Sequence, residues 1–284
     1  MMIVNVQEIE IKKDKIKKNI SDYYSNFLNY YNELSIIESN WHDGNSLPFF
    51  EAIEETKKVG KSVYQSVKQL IKIYSFIVTE YQKMGDKIEY DLDNSDRVIY
   101  KIEELDAKLD DILKQYFDLQ MSNINVEFKD IIYRQEERIK RVKEQLGDVK
   151  DKNKELSVII EEINAKVKSK LSKIDIVIVQ DEEYPHWIKQ LDEIVVNPNE
   201  MDISLKKLEM YKKEEDLIIE ELENNFKDIS YDYHTDYEDE IKELQTELIN
   251  NLKSIDIIHE NNILKITKHK DEFIESSDRI QSSL

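Results

Sequence analysis

Residues 16–50 read IKKNISDYYSNFLNYYNELSIIESNWHDGNSLPFF. Through the first two-thirds of this stretch the apolar and aromatic positions step by four and three: Ile16, Ile20, Tyr23, Phe27, Tyr30, Leu34 and Ile37. That spacing puts them on one helical face as a heptad seam. The seam stops at Trp41-His42-Asp43-Gly44. Here Asp43, Gly44 and Asn45 suit left-handed turn conformations, Ser46 can cap a new helix, and Pro48 fits its first turn. Stepping resumes through Ile53, Gly60, Val63, Val67, Leu70, Tyr74, Tyr81, Ile88 and Leu92. Two helices with facing seams and a short connection make an antiparallel hairpin. Trp41, just before the turn, reads as a packing plug at the hairpin's end.

Composition extends this reading to the whole chain. Only 4 Gly and 3 Pro occur in 284 residues, so long helices are the default. Charged residues make up 36% and hydrophobic ones 40%, a balance that builds narrow apolar seams rather than one large core. The fold expected is all-α: elongated helical hairpins and coiled coil. A second coiled segment runs from Val126 to Leu171, with Ile132, Gln135, Ile139, Val142, Leu146, Val149, Asn153, Leu156, Ile160, Ile163 and Val167 at a and d positions. Asn153 falls at an a position, so the facing seam should offer it a polar group. Residues 129–154 hold nine Lys/Arg against six Asp/Glu, which reads as a solvated coiled-coil surface.

Between 173 and 201 the period changes. KIDIVIV and DEIVV flank Pro185 and Trp187, as two short strands or an irregular crossover would. A helix from Ile203 to Ile229, the break SYDYHTDYEDE and a last helix from Ile241 to Ile280 follow. This order repeats that of residues 16–99, and WHD matches YHT, as NSDRVI matches SSDRIQ. The likeness points to an internal duplication, although Trp41 precedes Asp96 by 55 residues and Tyr233 precedes Asp278 by 45. The division expected is a hairpin over 1–100 with its turn at 40–48, a coiled coil over 101–172, an irregular or short β insert over 173–201, and a second hairpin over 202–284 with a break at 230–237. Tyr231, Tyr233, His234 and Tyr237 at that break either contact a partner or mirror the Trp41 plug.

The formal net charge of −20 argues against attraction to nucleic acid or to an anionic membrane. No uninterrupted apolar run exceeds four residues, so no membrane-spanning helix is expected. The start, MMIVNVQEIEIKKDK, lacks the apolar h-region of a Sec signal peptide. Without cysteine there is no disulfide and no thiolate metal site. His42, His186, His234, His259 and His269 form no close pair at metal-binding spacing, and no phosphate-cradling glycine loop or nucleophile elbow occurs. Acidic pairs such as Glu136-Glu137 read as solvated helix faces. No enzyme, cofactor or metal is expected.

A helix of some 30 residues, a Trp-containing turn with Gly44 nearby and then a longer helix together resemble the WXG-motif family of helical hairpins exported by type VII secretion systems, and the related LXG proteins. The family has one residue between Trp and Gly; here His42 and Asp43 both intervene. The resemblance covers about residues 5–100. It implies a four-helix dimer made from two hairpins, export in the folded state without a cleaved signal peptide, and a recognition signal that combines the turn with a Tyr followed four residues later by an acid. Tyr100/Glu104, Tyr133/Glu137 and Tyr211/Glu215 have that spacing, and only the first lies just past the expected second helix.

The function expected is therefore that of an interaction protein: a type VII substrate or effector partner, secreted without a Sec signal or cytoplasmic before export. Trp41, Gly44, Tyr100 and Glu104 are its recognition residues, and its partner is an effector, an exporter component or a second copy in a homodimer. The alternatives are an intracellular coiled-coil scaffold, motivated by the seam from Ile132 to Val167, and an acidic immunity protein for a basic toxin, motivated by the net charge.

Overall fold

Heptad seams this long, in a chain this poor in glycine and proline, produce helix almost throughout. The computed structural model describes residues 2–44, 46–122, 126–179 and 195–282. Six long helices occupy most of them: α1 (Val6–Asn40), α2 (Ser46–Gln82), α3 (Leu92–Met121), α4 (Val126–Leu171), α5 (Pro198–Ser230) and α6 (Glu238–Ser282). Five short strands mark their ends: β1 (Met2–Asn5), β2 (Trp41–His42), β3 (Lys87–Tyr90), β4 (Val195–Val196) and β5 (Tyr233–His234). The fold is all-α.

Four helices form the body. α1 lies between α2 and α5, and α6 closes the ring by packing on both α2 and α5. Neighbours run antiparallel: α5 starts beside the end of α1, where Asn197 N–H donates to the Asn40 carbonyl at 2.9 Å, and finishes beside its start, where Lys12 Nζ donates to the Asp228 carbonyl at 2.9 Å. Every member of the Ile16–Ile37 seam is buried, as are Ile53, Val63, Val67, Leu70, Tyr74 and Tyr81 opposite. At Gly60, α2 lies directly against the Phe27 ring of α1. A Cβ there would lie 2.4 Å from Phe27 Cε2, inside a stack of buried rings that has no room to yield.

The two hairpins α1–α2 and α5–α6 stand in register. Each is led by a strand that pairs antiparallel with the turn strand of the other: Ile3 with His234 and Val4 with Tyr233, then Val195 with His42 and Val196 with Trp41. Corresponding residues are related by a shift of 192, the separation of Ile3 from Val195 and equally of Trp41 from Tyr233. The same shift carries Asn5 N–H, which donates to the Asp232 carbonyl at 2.7 Å, onto the Asn197–Asn40 bond at the opposite end. It also carries the buried Ile16, Phe27, Leu34, Val63 and Tyr74 onto the buried Leu208, Ile219, Phe226, Ile255 and Ile266. The unequal break-to-end spacing arises because the two motifs compared, NSDRVI and SSDRIQ, lie in different kinds of element: one opens α3, the other closes α6.

α3 and α4 pair with each other outside this body as a two-helix arm. Apart from Ile132 near its tip, α4 buries only its last turns, where Ile160, Ile163, Asn164 and Val167 meet the bundle. There Tyr81 Oη donates to Asn164 Oδ1 at 3.3 Å, and Asn164 Nδ2 donates to Asp236 Oδ2 at 3.2 Å. Beyond α4 the chain runs along the body; Ser66 Oγ donates to the Asp175 carbonyl at 2.8 Å and Val179 N–H to Asn251 Oδ1 at 3.3 Å.

Several sequence expectations change. α2 ends at Gln82: Gly85, at φ 141°, turns the chain, and Ile88 belongs to β3, which pairs with β1. Helix α3 then spans the boundary expected at residue 100. The N-terminal alternation of MIVN is strand β1, the centre of the sheet β3-β1-β5. KIDIVIV leaves α4 through a turn at Lys173 and forms no strand, whereas Val195 and Val196 of DEIVV form β4. Pro185, His186 and Trp187 lie outside the described residues, as does Asn45. In α4, Val142 and Val149 leave the seam and are 43% and 51% exposed, while the adjacent Lys143 and Lys150 face α3 and meet its carboxylates.

Candidate functional site

At the end of the first hairpin Asp43 shapes the turn. Its Oδ1 accepts Ser46 N–H at 3.0 Å, while Ser46 Oγ donates to the Asp43 carbonyl at 2.9 Å, so the acid rather than the serine caps α2. Trp41 is 3% exposed. Its ring lies 4.2 Å from that of His269 in a stacked pair and contacts Phe49 and Phe50 at 5.3 and 5.6 Å. His269 Nε2 in turn lies 2.6 Å from Asp43 Oδ2. The indole N–H meets no acceptor among the described residues. An incoming protein therefore meets the exposed His42 and the turn around Gly44, not the indole.

The second break is built the same way. Tyr233, the counterpart of Trp41, is fully buried, as is Tyr237, whereas Tyr231 is 75% exposed and His234 points outward with Nδ1 2.9 Å from Glu238 Oε2. Burial drives the Tyr233 and Tyr237 phenols well above their ordinary range. Two of the four residues are thus a packed plug, and two remain on the surface.

Tyr100 and Glu104 do not join the Trp41 turn. They sit on α3, which follows β3 at the opposite end of α1; Tyr100 is 66% exposed and Glu104 pairs with Lys108 at 2.6 Å. Of the other spacings, Tyr133 is 60% exposed on the arm, while Glu215 is fully buried. Asn153 finds the polar partner that its position demands: its Nδ2 donates to Ser95 Oγ on α3 at 2.6 Å, and the same oxygen accepts Tyr90 Oη at 2.8 Å.

A polar knot lies in the middle of the bundle. His259 and Glu215 are both fully buried, with Nδ1 2.7 Å from Glu215 Oε2. Nε2 lies 3.2 Å from the Tyr31 hydroxyl, and Tyr30 Oη donates to the His259 carbonyl at 2.8 Å. Burial, then the Glu215 charge, raises the Tyr23 phenol well above its ordinary range. At the edge of the knot Lys212 Nζ reaches Asp216 at 2.8 Å and Asp256 at 3.0 Å. Burial outweighs that ammonium and, helped by the Glu215 charge, lifts Asp256 to about 7. The imidazole and its carboxylate face no solvent, so no dissolved substrate touches them in this arrangement. Among the described residues no group of three or more His, Asp and Glu side chains is placed to hold a metal ion, and no helix is long and apolar enough to cross a membrane.

The sequence carried one signal for this knot. Glu215 occupies the heptad seam Leu208, Leu222, Ile229, and His259 the seam Leu252, Ile255, Ile266, so each is a polar residue at a core position. On the arm, Val98, Leu105, Leu119, Val142 and Val149 are all exposed. Comparison with known proteins finds no match to a family model, to a curated protein or to a solved structure.

Proposed function

We propose that the chain is a helical interaction protein without catalytic activity, a WXG-like substrate or effector partner of a type VII secretion system. In this reading the bundle is a folded base and the α3–α4 arm is the element that meets another protein. The observation that carries it is the arm: two helices that leave apolar heptad positions uncovered along their length. Such positions in a two-helix coil await further helices. Support for export comes from the hairpin with Trp41 beside its turn. The second hairpin occupies, within one chain, the place that the resemblance gives to a second subunit, so the base needs no partner copy.

The test compares extracellular protein from cells with and without the exporter ATPase. Loss of the extracellular fraction in the ATPase-deficient cells supports the proposal, and equal amounts in both overturn it. The second reading, an intracellular coiled-coil scaffold, is favoured by the same arm, since the 30 residues of α3 project about 45 Å at 1.5 Å per residue. It predicts that the protein stays inside both strains.

A further inference from the structure

The uncovered face of the arm has a chemistry of its own. Beside the seam that meets α4, helix α3 carries a second set of heptad positions at every third or fourth residue from Val98 to Leu119, and α4 carries a matching set from Phe128 to Lys152. In a chain of net charge −20, neither set contains a single Asp or Glu. Val98, Leu105, Val142 and Val149 are 38%, 49%, 43% and 51% exposed. The charged members between them are Lys101, Lys108, Arg138 and Lys152.

Both sets lie on one side of the arm. The carboxylates of α3 that reach across to α4 are on the other flank, where Glu103 meets Lys150 at 2.5 Å and Asp106 meets Lys143 at 3.4 Å. In an antiparallel helix pair the flank opposite Glu103 and Lys150 is the one that holds Val98 and Val149. Lys101, Arg138 and Lys152 make no ion pair with a described residue, and Lys108 is held only by Glu104 of its own helix.

We infer that this face is a docking groove for an acidic amphipathic helix of another protein, one whose apolar heptad seam is flanked by Asp and Glu. The inference rests on reading the chain as an interaction protein and specifies the partner's chemistry. The three-four spacing of the uncovered residues matches a helix laid along the groove. A second copy would set Lys and Arg against Lys and Arg, which opposes pairing. A phosphate backbone would use the cations but leave the apolar stripe in water.

The test uses the full chain and two synthetic peptides of about four heptads with the same Leu/Ile seam, one flanked throughout by Glu and one by Lys. The Glu-flanked peptide is expected to bind at least about tenfold more tightly than the Lys-flanked one. Lys101→Glu with Arg138→Glu should reverse that order, and Leu105→Gln with Val142→Gln should weaken binding about tenfold, both at unchanged helix content by circular dichroism. If the apolar pair unfolds the arm, the exposed charge reversals alone decide the matter. Equal affinity for the two peptides, no binding of the Glu-flanked peptide, binding only to phosphatidylserine vesicles or duplex DNA, or dimerisation through this face would each overturn the inference. Its failure is separable from failure of the export reading, because extracellular protein is measured without the peptide.

Discussion

At the scale of the residue, the Glu215–His259 pair is where burial and charge conflict most sharply. Removing one partner strands the other without solvent, so Glu215→Leu should cost about 3 to 5 kcal/mol in chemical denaturation. The double variant Glu215→Leu with His259→Leu should recover most of that loss, since two apolar side chains of similar size leave no unpaired charge. Trp41 separates packing from hydrogen bonding: Trp41→Ala should cost about 3 to 5 kcal/mol, read from the denaturation midpoint, with helix content unchanged. Trp41→Phe should cost far less, because it discards an indole N–H that finds no acceptor among the described residues. Asp256 gives the pH dependence. An acid lifted from 3.8 to about 7 holds its proton more tightly when folded, so its contribution falls as pH rises through that interval and levels off above it. Stability measured at pH 4.5 and 7.5 should therefore decline less in Asp256→Asn than in the parent protein.

At the scale of the element, legibility followed locality. The α1 seam and the bounds of α4 could be read because a heptad repeat is a pattern within one helix, and propensity reinforced it. Of the strands only β4 left a local trace, in DEIVV; β2, β4 and β5 have two residues each, and their pairing joins positions far apart in sequence. The rotation of α4 was equally hidden, because it places Lys143 and Lys150 toward another helix, which the apolar spacing of α4 itself does not report. Asn153 was legible as a polar seam residue, and its partner Ser95 lies in the same chain. With covalent connections already fixing the register, Asn153→Leu should leave the sedimentation coefficient unchanged and alter stability by no more than about 1 kcal/mol, since Ser95 keeps Tyr90 as a donor.

At the scale of the whole molecule, the likeness of the two hairpins was visible in letters at the turns, WHD against YHT, while its strict register was not, because seam positions hold Tyr in one hairpin and Leu or Ile in the other. The polar knot breaks that equivalence: Tyr23 stands at the position of Glu215, and Val67 at that of His259. With both hairpins in one chain, the protein should sediment as a monomer at micromolar concentration, slowed by its projecting arm. The exchange of leading strands between hairpins also sets an order of events on the ribosome. β1 leaves the exit tunnel first, yet one of its two edges stays open until β5 has been synthesised. Helix α1 must likewise wait for α5 to cover its second face. The nascent chain thus carries one face of α1 uncovered until α5 has been made, so chaperones that meet nascent chains have a long window on a helix whose Tyr23, Phe27 and Tyr30 end fully buried.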